Sequence, residues 1–271
     1  METAIDLGGV RVHVLHEGNF SLDPGAAFGL VPIPVWSRVA KLNSHQRISM
    51  TAMIAVVEKD DHFIMIDSGV GDGYDDKFAS LFEVDQAPGF KKKLLDVTGG
   101  KGIDMIIHTH LHFDHSGGSF STDPVFSGSM ILTQDDELYN MENPDDLSKA
   151  SYRMPSDISG RMKLIHGTAH LRGFIEVIRT GGHTSGHEAV IIKGSSGELI
   201  CPGDLFPTSF NLRPTFITAI DHYPLDTLRF KKVFIRRALR NQSYMLFNHD
   251  IVNTVTRIKG EETKPMLDLE A

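Results

Sequence analysis

The chain has 271 residues, 41% of them hydrophobic and 23% charged, the balance of a folded globular protein rather than a disordered one. Thirty-five acidic against 27 basic residues give a formal net charge of −8, which argues against a protein that grips a nucleic-acid backbone. The single cysteine, Cys201, excludes an intrachain disulfide and leaves no thiolate set for a zinc knuckle or an iron–sulfur cluster.

In chain order, the start carries no cationic segment leading into an apolar run of signal length. Strand character first appears at Val10 to Leu15, then at Met50 to Val57 and Phe63 to Ile66, the last two joined by a turn at Asp60-Asp61. A helix is expected from Pro88, with Phe90, Leu94, Leu95 and Val97 inward and Lys91 to Lys93 outside. Met105 to Ile107 reads as a strand. From Gln134 to Arg172 the chain is polar, broken by Pro144 and Pro155, and reads as short helices and loops. Strands resume at Phe174 to Ile178, Ala189 to Ile192, Glu198 to Cys201 and Tyr244 to Phe247. A helix from about Asp226 to Leu239 separates the last two, with Lys231 and Arg237 among the cations on its solvated face. Strands alternating with helices indicate a layered α/β fold. Without repeats or a low-complexity linker, one domain over residues 1–271 is expected. No stretch approaches the roughly 18 apolar residues of a membrane span, so the expected location is the cytoplasm, with no membrane partner.

The fourteen histidines decide the chemistry. Residues 106 to 118 contain His110-x-His112-x-Asp114-His115 at the end of a strand, closed by Gly117-Gly118. A chain of this composition would show that spacing about 0.003 times by chance. Imidazole and carboxylate are both good ligands for zinc, manganese, iron or cobalt. Alternate residues of extended chain point the same way, so His110 and His112 can grip one ion. As the chain turns, Asp114 and His115 can face a second. Further ligands must come from elsewhere, and strand ends offer His187, Asp204 and His249, where open α/β sheets collect active sites. His13, His16, His45, His62, His166 and His170 have no ligand spacing.

The series His110, His112, Asp114, His115, His187, Asp204, His249, preceded by Ile66-Asp67-Ser68-Gly69, resembles the metallo-β-lactamase superfamily over nearly the whole chain. The resemblance implies an αβ/βα sandwich of two mixed sheets flanked by helices. It also implies a dinuclear site: His110, His112 and His187 on one ion, Asp114, His115 and His249 on the other, and Asp204 bridging. The ions would be zinc, with manganese, cobalt or iron as alternatives. Asp67 would fix a ligand histidine's tautomer; His183 would brace His187, and His108 would pack nearby. Cys201 lies three residues before Asp204 and does not match the cysteine ligand of the true β-lactamases.

Two ions sharing a water would yield a hydroxide at neutral pH and polarise a carbonyl. Asp114 is the expected catalytic residue, orienting the hydroxide and passing a proton to the leaving oxygen. The segments Gly25 to Pro32, Thr109 to His115, Gly203 to Thr208, Asp221 to Pro224 and Phe247 to Asp250 are similar to quorum-quenching N-acyl-homoserine lactonases and methyl parathion hydrolase-like enzymes. The implied partner is a small-molecule lactone or ester, and a homodimer is allowed. Aryl esters and phosphotriesters or phosphodiesters are the alternative on the same site. A mononuclear iron, sulfur dioxygenase-like oxidoreductase is the alternative of another class. Pro207 stands where the best-known lactonases carry a tyrosine, and Tyr223 is the candidate replacement donor. Phe28, Val31, Trp36 and Phe206 are candidates for an apolar substrate pocket.

Overall fold

The structure is a computed structural model that describes residues 2–120, 124–153 and 160–270. In its first sheet β1 (Glu2–Asp6), β2 (Arg11–Leu22), β3 (Ile48–Lys59) and β4 (His62–Ile66) run antiparallel to their neighbours, and the short β5 (Asp85–Gln86) pairs with β2. The sheet continues in parallel through β6 (Met105–Ile107), β7 (Met130–Gln134) and β8 (Met162–Ile165). The second sheet holds β9 (Ala169–Leu171), β10 (Ile175–Arg179), β11 (Glu188–Lys193), β12 (Glu198–Cys201), β13 (Tyr244–Leu246), β14 (Val255–Glu261) and β15 (Lys264–Asp268), adjacent in chain order and parallel only between β12 and β13. The helices are α1 (Pro24–Phe28), α2 (Ile33–Trp36), α3 (Asp76–Phe82), α4 (Phe90–Thr98), α5 (Phe113–Ser116), α6 (Pro124–Ser127), α7 (Asp135–Glu142) and α8 (Pro224–Asn241).

Period-two alternation assigns the layers. On β3, Met53, Ala55 and Val57 face inward and meet Val177, Val190 and Leu199 of the second sheet. The intervening Ile54 and Val56 face outward and pack with Phe90 and Leu94 of α4. On β11, Val190 and Ile192 join the inter-sheet core, while Ala189 and Ile191 pack with Phe234, Ile235 and Ala238 of α8. Helix, sheet, sheet, helix is the αβ/βα sandwich that the resemblance implies. Cys201 is buried in the inter-sheet core. No helix of the described residues is long and apolar enough to cross a membrane.

The Asp60-Asp61 turn is present, both residues at positive φ (49° and 62°), which matches the right-handed twist of the strands it joins. Elsewhere the chain departs from expectation. The helix expected from Pro88 is α4, which begins at Phe90, after Gly89 as its cap, and its Leu95 is 40% exposed rather than inward. The stretch from Gln134 to Arg172 contains the expected short helix, α7, but also the strands β8 and β9 where only helices and loops were expected; the expected break at Pro155 lies outside the described residues. On α8, Lys231 belongs to the interior, not to the solvated face. Its Nζ donates to the Phe216 carbonyl at 2.6 Å and lies 5.1 Å from the Phe206 ring centre. It therefore ties α8 to two points of the segment, residues 202–223, that links β12 to that helix. Arg237, also assigned to the solvated face, is half-buried between Glu198 and Glu176.

Burial pushes the Lys231 amine down to about 7 from 10.5, against the favourable field of Asp221. The sign of the linkage follows. From pH 7 to 10.5 the unfolded chain keeps a proton that the folded chain has lost, so stability rises with pH across that window. The stability of the wild type minus that of Lys231→Met is expected to rise by about 1.4 kcal/mol per pH unit between pH 7.5 and 9. Urea titrations at several pH values measure it, and parallel curves for the two proteins would overturn the assignment.

Candidate metal centre and catalytic pocket

The site forms where the loops after β4, β6, β12 and β13 meet the turn before β11. After β6 the chain leaves the sheet, and His112 in extended conformation (φ −63°, ψ 155°) opens the single turn of α5. This projects His110 and His112 to one side and Asp114 and His115 to the other. His110 Nε2 and His112 Nδ1 lie 3.1 Å apart, and His183 Nε2 is 3.1 Å from the same His112 nitrogen. The second group is Asp114, His115, Asp204 and His249, with His115 Nε2 and His249 Nε2 3.0 Å apart. Asp204 faces both groups: Oδ2 is 3.4 Å from His183 Nε2, and Oδ1 is 3.1 Å from His115 and 3.0 Å from His249. Asp114 Oδ2 stands 3.5 Å from His249 and 3.9 Å from His115. All seven residues are buried.

The outer ring nitrogens show what these contacts are. His183 Nδ1 is 2.8 Å from Asp221, His115 Nδ1 is 2.9 Å from Asp67, and His249 Nδ1 is 2.8 Å from the Thr51 carbonyl. Each partner is an acceptor, so each outer nitrogen carries the proton and each inner Nε2 of the neutral ring is a lone pair. Lone pairs turned on one another near 3 Å repel unless a cation lies between them. Ligands 2.0–2.1 Å from a tetrahedral ion stand about 3.3 Å apart. The donor set, its spacing and its tautomers thus fit divalent metal ions, with His110, His112 and His183 able to hold one and Asp114, His115 and His249 another.

Charge is spread unevenly over these rings. Burial, reinforced by His115, His112 and His183, holds His110 well below the usual imidazole range; burial and His183 do the same for His112. Burial also works against charge on His115, but Asp67, Asp204 and Asp114 outweigh it and raise that ring well above the usual range. Asp204 resists its own burial through His249, His115 and His183, which hold it well below the usual carboxylate range.

The surrounding contacts fix this arrangement. Asp67, at φ 57°, accepts from the Thr109 backbone N–H at 2.8 Å and lies at hydrogen-bond distance from His115, the contact that the expected role requires. Glu137 of α7 accepts from Leu111 N–H at 3.1 Å and from the Thr184 hydroxyl at 2.6 Å, tying together the two loops that carry the histidines. Sequence reading missed it, because it lies in the polar stretch read as short helices and loops outside the core. A Cβ on Gly203 (φ +53°) would come within 2.6 Å of His187 Nε2, so glycine lets the Asp204 loop close on the site.

His187 is the correction. It does not join His110 and His112; His183 does. His187 Nδ1 is 2.7 Å from the Thr180 hydroxyl, and Nε2 accepts the Asp204 backbone N–H at 3.1 Å. Both nitrogens are engaged, and burial together with His183 lowers the ring to about 3, so it is a neutral brace under Asp204. The structure places His183, not His187, beside His110 and His112, and sets His187 against the backbone of Asp204. The local spacing in Gly-Gly-His-Thr-Ser-Gly-His offers two histidines four apart, and the feature that selects the first, Asp221, lies 38 residues downstream.

Tyr223 is 48% exposed and lines a separate cavity with Arg179 and Arg229. A cavity of about 140 Å³ adjoins the ligand groups, lined by His112, Asp114, Asp204 and His249 with Leu22, Met50, Phe82, Phe113 and Pro207. Of the four residues expected to line an apolar pocket, Phe28 lines a second cavity. Val31 and Trp36 are buried beside it, with Trp36 stacked on Phe28 at 4.9 Å, and Phe206 is buried against α8.

Known proteins resemble this chain in sequence and in fold. A probable metallo-hydrolase of Methanocaldococcus jannaschii is 32% identical over 107 residues, 37% of this chain and 50% of that protein. An N-acyl homoserine lactonase of Bacillus sp is 26% identical over 149 residues, 54% of this chain and 55% of its own. The chain thus spans about half the length of these curated relatives. Among solved structures, a probable metal-dependent hydrolase from Staphylococcus aureus superposes with a TM-score of 0.87 at 28% identity, covering 98% of this chain and 99% of that one. AidC, a dizinc quorum-quenching lactonase in complex with a product, gives 0.78 at 17% identity over 100% and 97% of the two chains, a likeness of fold. The family model described as the metallo-beta-lactamase superfamily matches residues 51–240. That span holds every residue of the two ligand groups except His249, and on it the chain belongs to the metallo-beta-lactamase superfamily.

Proposed function

We propose that this metallo-hydrolase uses a dinuclear centre to open a lactone or ester carbonyl, with an N-acyl-homoserine lactone as its first substrate and the cytoplasm as its place of action. The observation that carries the dinuclear reading is Asp204, whose two oxygens face different ligand groups. His110, His112 and His183 would hold one ion, zinc before manganese, cobalt or iron; Asp114, His115 and His249 would hold the other, with Asp204 shared. Divalent ions held there would supply the Lewis acidity that lowers the pKa of water toward neutrality and polarises a carbonyl oxygen. Asp114 Oδ2, at the cavity wall, takes the proton of the attacking water and returns it to the leaving alkoxide. Phe113, Phe82 and Leu22 keep bulk water from the reacting carbonyl. Asp221 and Asp67, by accepting from the outer nitrogens of His183 and His115, fix the tautomer that turns each Nε2 inward.

The described residues lining the small cavity include no arginine or lysine, which supports an uncharged carboxyl ester over a phosphodiester. The test is proton release by metal-replete protein against acyl-homoserine lactones of different chain length, with metal content measured on the same sample. Ring opening that vanishes with a chelator and returns with about two equivalents of metal is the expected result. No turnover with both equivalents bound would move the reading to aryl esters and phosphotriesters. One equivalent of iron at full loading would overturn the dinuclear centre.

A further inference from the structure

Strand β2 carries one residue more than its partner. His16 pairs with Met53 and Gly18 with Ala52, so Glu17 is the extra residue of a β-bulge. A bulge re-aims a side chain and is common beside active sites. Glu17 is fully buried, where an ionisable group is costly unless it is bonded. Its Oε2 accepts the Val70 backbone N–H at 2.7 Å. Its Oε1 accepts the Gly71 N–H at 3.2 Å and the Gln86 side-chain amide at 3.1 Å.

Val70 and Gly71 belong to the loop after β4, which interlocks with the turn that carries His115. The Ser68 N–H and hydroxyl both donate to the His115 carbonyl, at 2.6 and 3.1 Å, and Ser68 Oγ accepts the Ser119 N–H at 2.9 Å. A Cβ on Gly71 would come within 2.3 Å of the Gly117 carbonyl carbon, and one on Gly117 within 1.9 Å of the Val70 carbonyl oxygen. The two backbones thus touch with no room for a side chain between them. The same loop begins with Asp67, 2.9 Å from His115 Nδ1. One loop therefore holds His115 at its ring and at its backbone, and the far end of that loop rests on Glu17.

We propose that Glu17 is a positioning residue for the second ligand group: it fixes the loop that places His115, and so sets the affinity for one of two ions while touching neither. The proposal rests on the dinuclear reading above. A carboxylate suits this task because both its oxygens accept and all three neighbours donate. A protonated carboxyl, or a glutamine, turns a donor toward those N–H groups and forfeits part of the hold. Burial, helped by the like charge of Asp72, raises Glu17 to about 7 from 4.5, against the bonds from Gln86, Val70 and Gly71. Of the other ionisable groups around it, Tyr74 is a phenol that burial raises above its usual range, with Arg153 stacked on its ring. Asp85 of β5 is exposed, and His16 bonds Asn19. The fully accepting form is thus gained between pH 6 and 8.

The test is chelator competition for zinc over that range in the wild type, Glu17→Gln and Gln86→Ala. Ile258→Ala, in the layer between the second sheet and α8, controls for lost stability alone. Glu17→Gln is expected to weaken one equivalent about tenfold at pH 8, as for residues that orient metal ligands, and to leave the other within about twofold. At pH 6, where Glu17 is protonated, wild type and Glu17→Gln are expected to converge. Protonation of the ligands themselves is common to both proteins and cancels in their ratio. Gln86→Ala removes a bond that favours the charged form, so its loss of affinity on acidification is expected to begin at a higher pH than in the wild type. That variant also decides the matter if Glu17→Gln does not fold. Equal weakening of both equivalents in Glu17→Gln and Ile258→Ala would overturn the proposal, as would a Glu17→Gln deficit that is the same at pH 6 and 8. A wild type that takes up a single equivalent would refute the dinuclear reading. The role of Glu17 would then stand if that equivalent weakens in Glu17→Gln at pH 8 but not at pH 6, and fall if it does not.

Discussion

Asp114→Asn is expected to lower kcat by about 10²- to 10⁴-fold, the usual range for a removed general acid/base, while both metal equivalents and the cooperative unfolding transition persist. Asp114 is almost fully buried at the wall of the small cavity, and its Oδ2 stands 3.5 Å from His249 and 3.9 Å from His115. At those distances it faces the second ligand group without depending on it. Asparagine keeps the shape and one oxygen that can face a cation, and removes the charge that accepts a proton. Steady-state kinetics with metal analysis on the same preparation separates the two roles. A fall in kcat with about two equivalents retained supports proton transfer. A fall that tracks loss of one equivalent would reduce Asp114 to a ligand, and near-normal kcat would refute the catalytic assignment.

What could be read along the chain was whatever depends on neighbours in sequence. Residues His110 to His115 carry their own geometry, because an extended segment ending in one helical turn places alternate side chains on one side and the next pair on the other. Alternation in β3 and β11 likewise encodes both faces of a buried sheet. The rest depends on distant partners. Whether His183 or His187 turns inward is decided by Asp221 and Thr180. Lys231 has the helical spacing of a solvated cation and becomes interior only because the Phe206 and Phe216 loops close over it. Glu137 draws its meaning from Leu111 and Thr184, which reach it from two separate loops. The cavity lined by Phe28 is assembled from α1, the start of β3 and the loops near Phe210 and Val252, so no local apolar pattern announces it.

The placement of His183, rather than His187, beside His110 and His112 has a measurable consequence. His183→Gln is expected to reduce bound metal from about two equivalents to about one after dialysis against a weak chelator, because it removes one of three nitrogens spaced for a single ion. His187→Gln is expected to keep both, since a glutamine oxygen can still accept the Asp204 backbone N–H that His187 Nε2 accepts at 3.1 Å. His187→Ala should instead destabilise the fold by about 3 kcal/mol, by leaving that donor buried and unpaired and opening a void under Gly203. The pair of measurements, metal content and denaturant midpoint, moves in opposite senses for the two positions. Loss of metal in His187→Gln with retention in His183→Gln would restore the assignment drawn from the sequence. The predicted pattern would establish that the turn before β11 presents its first histidine to the ion and keeps its second to hold Asp204 in place.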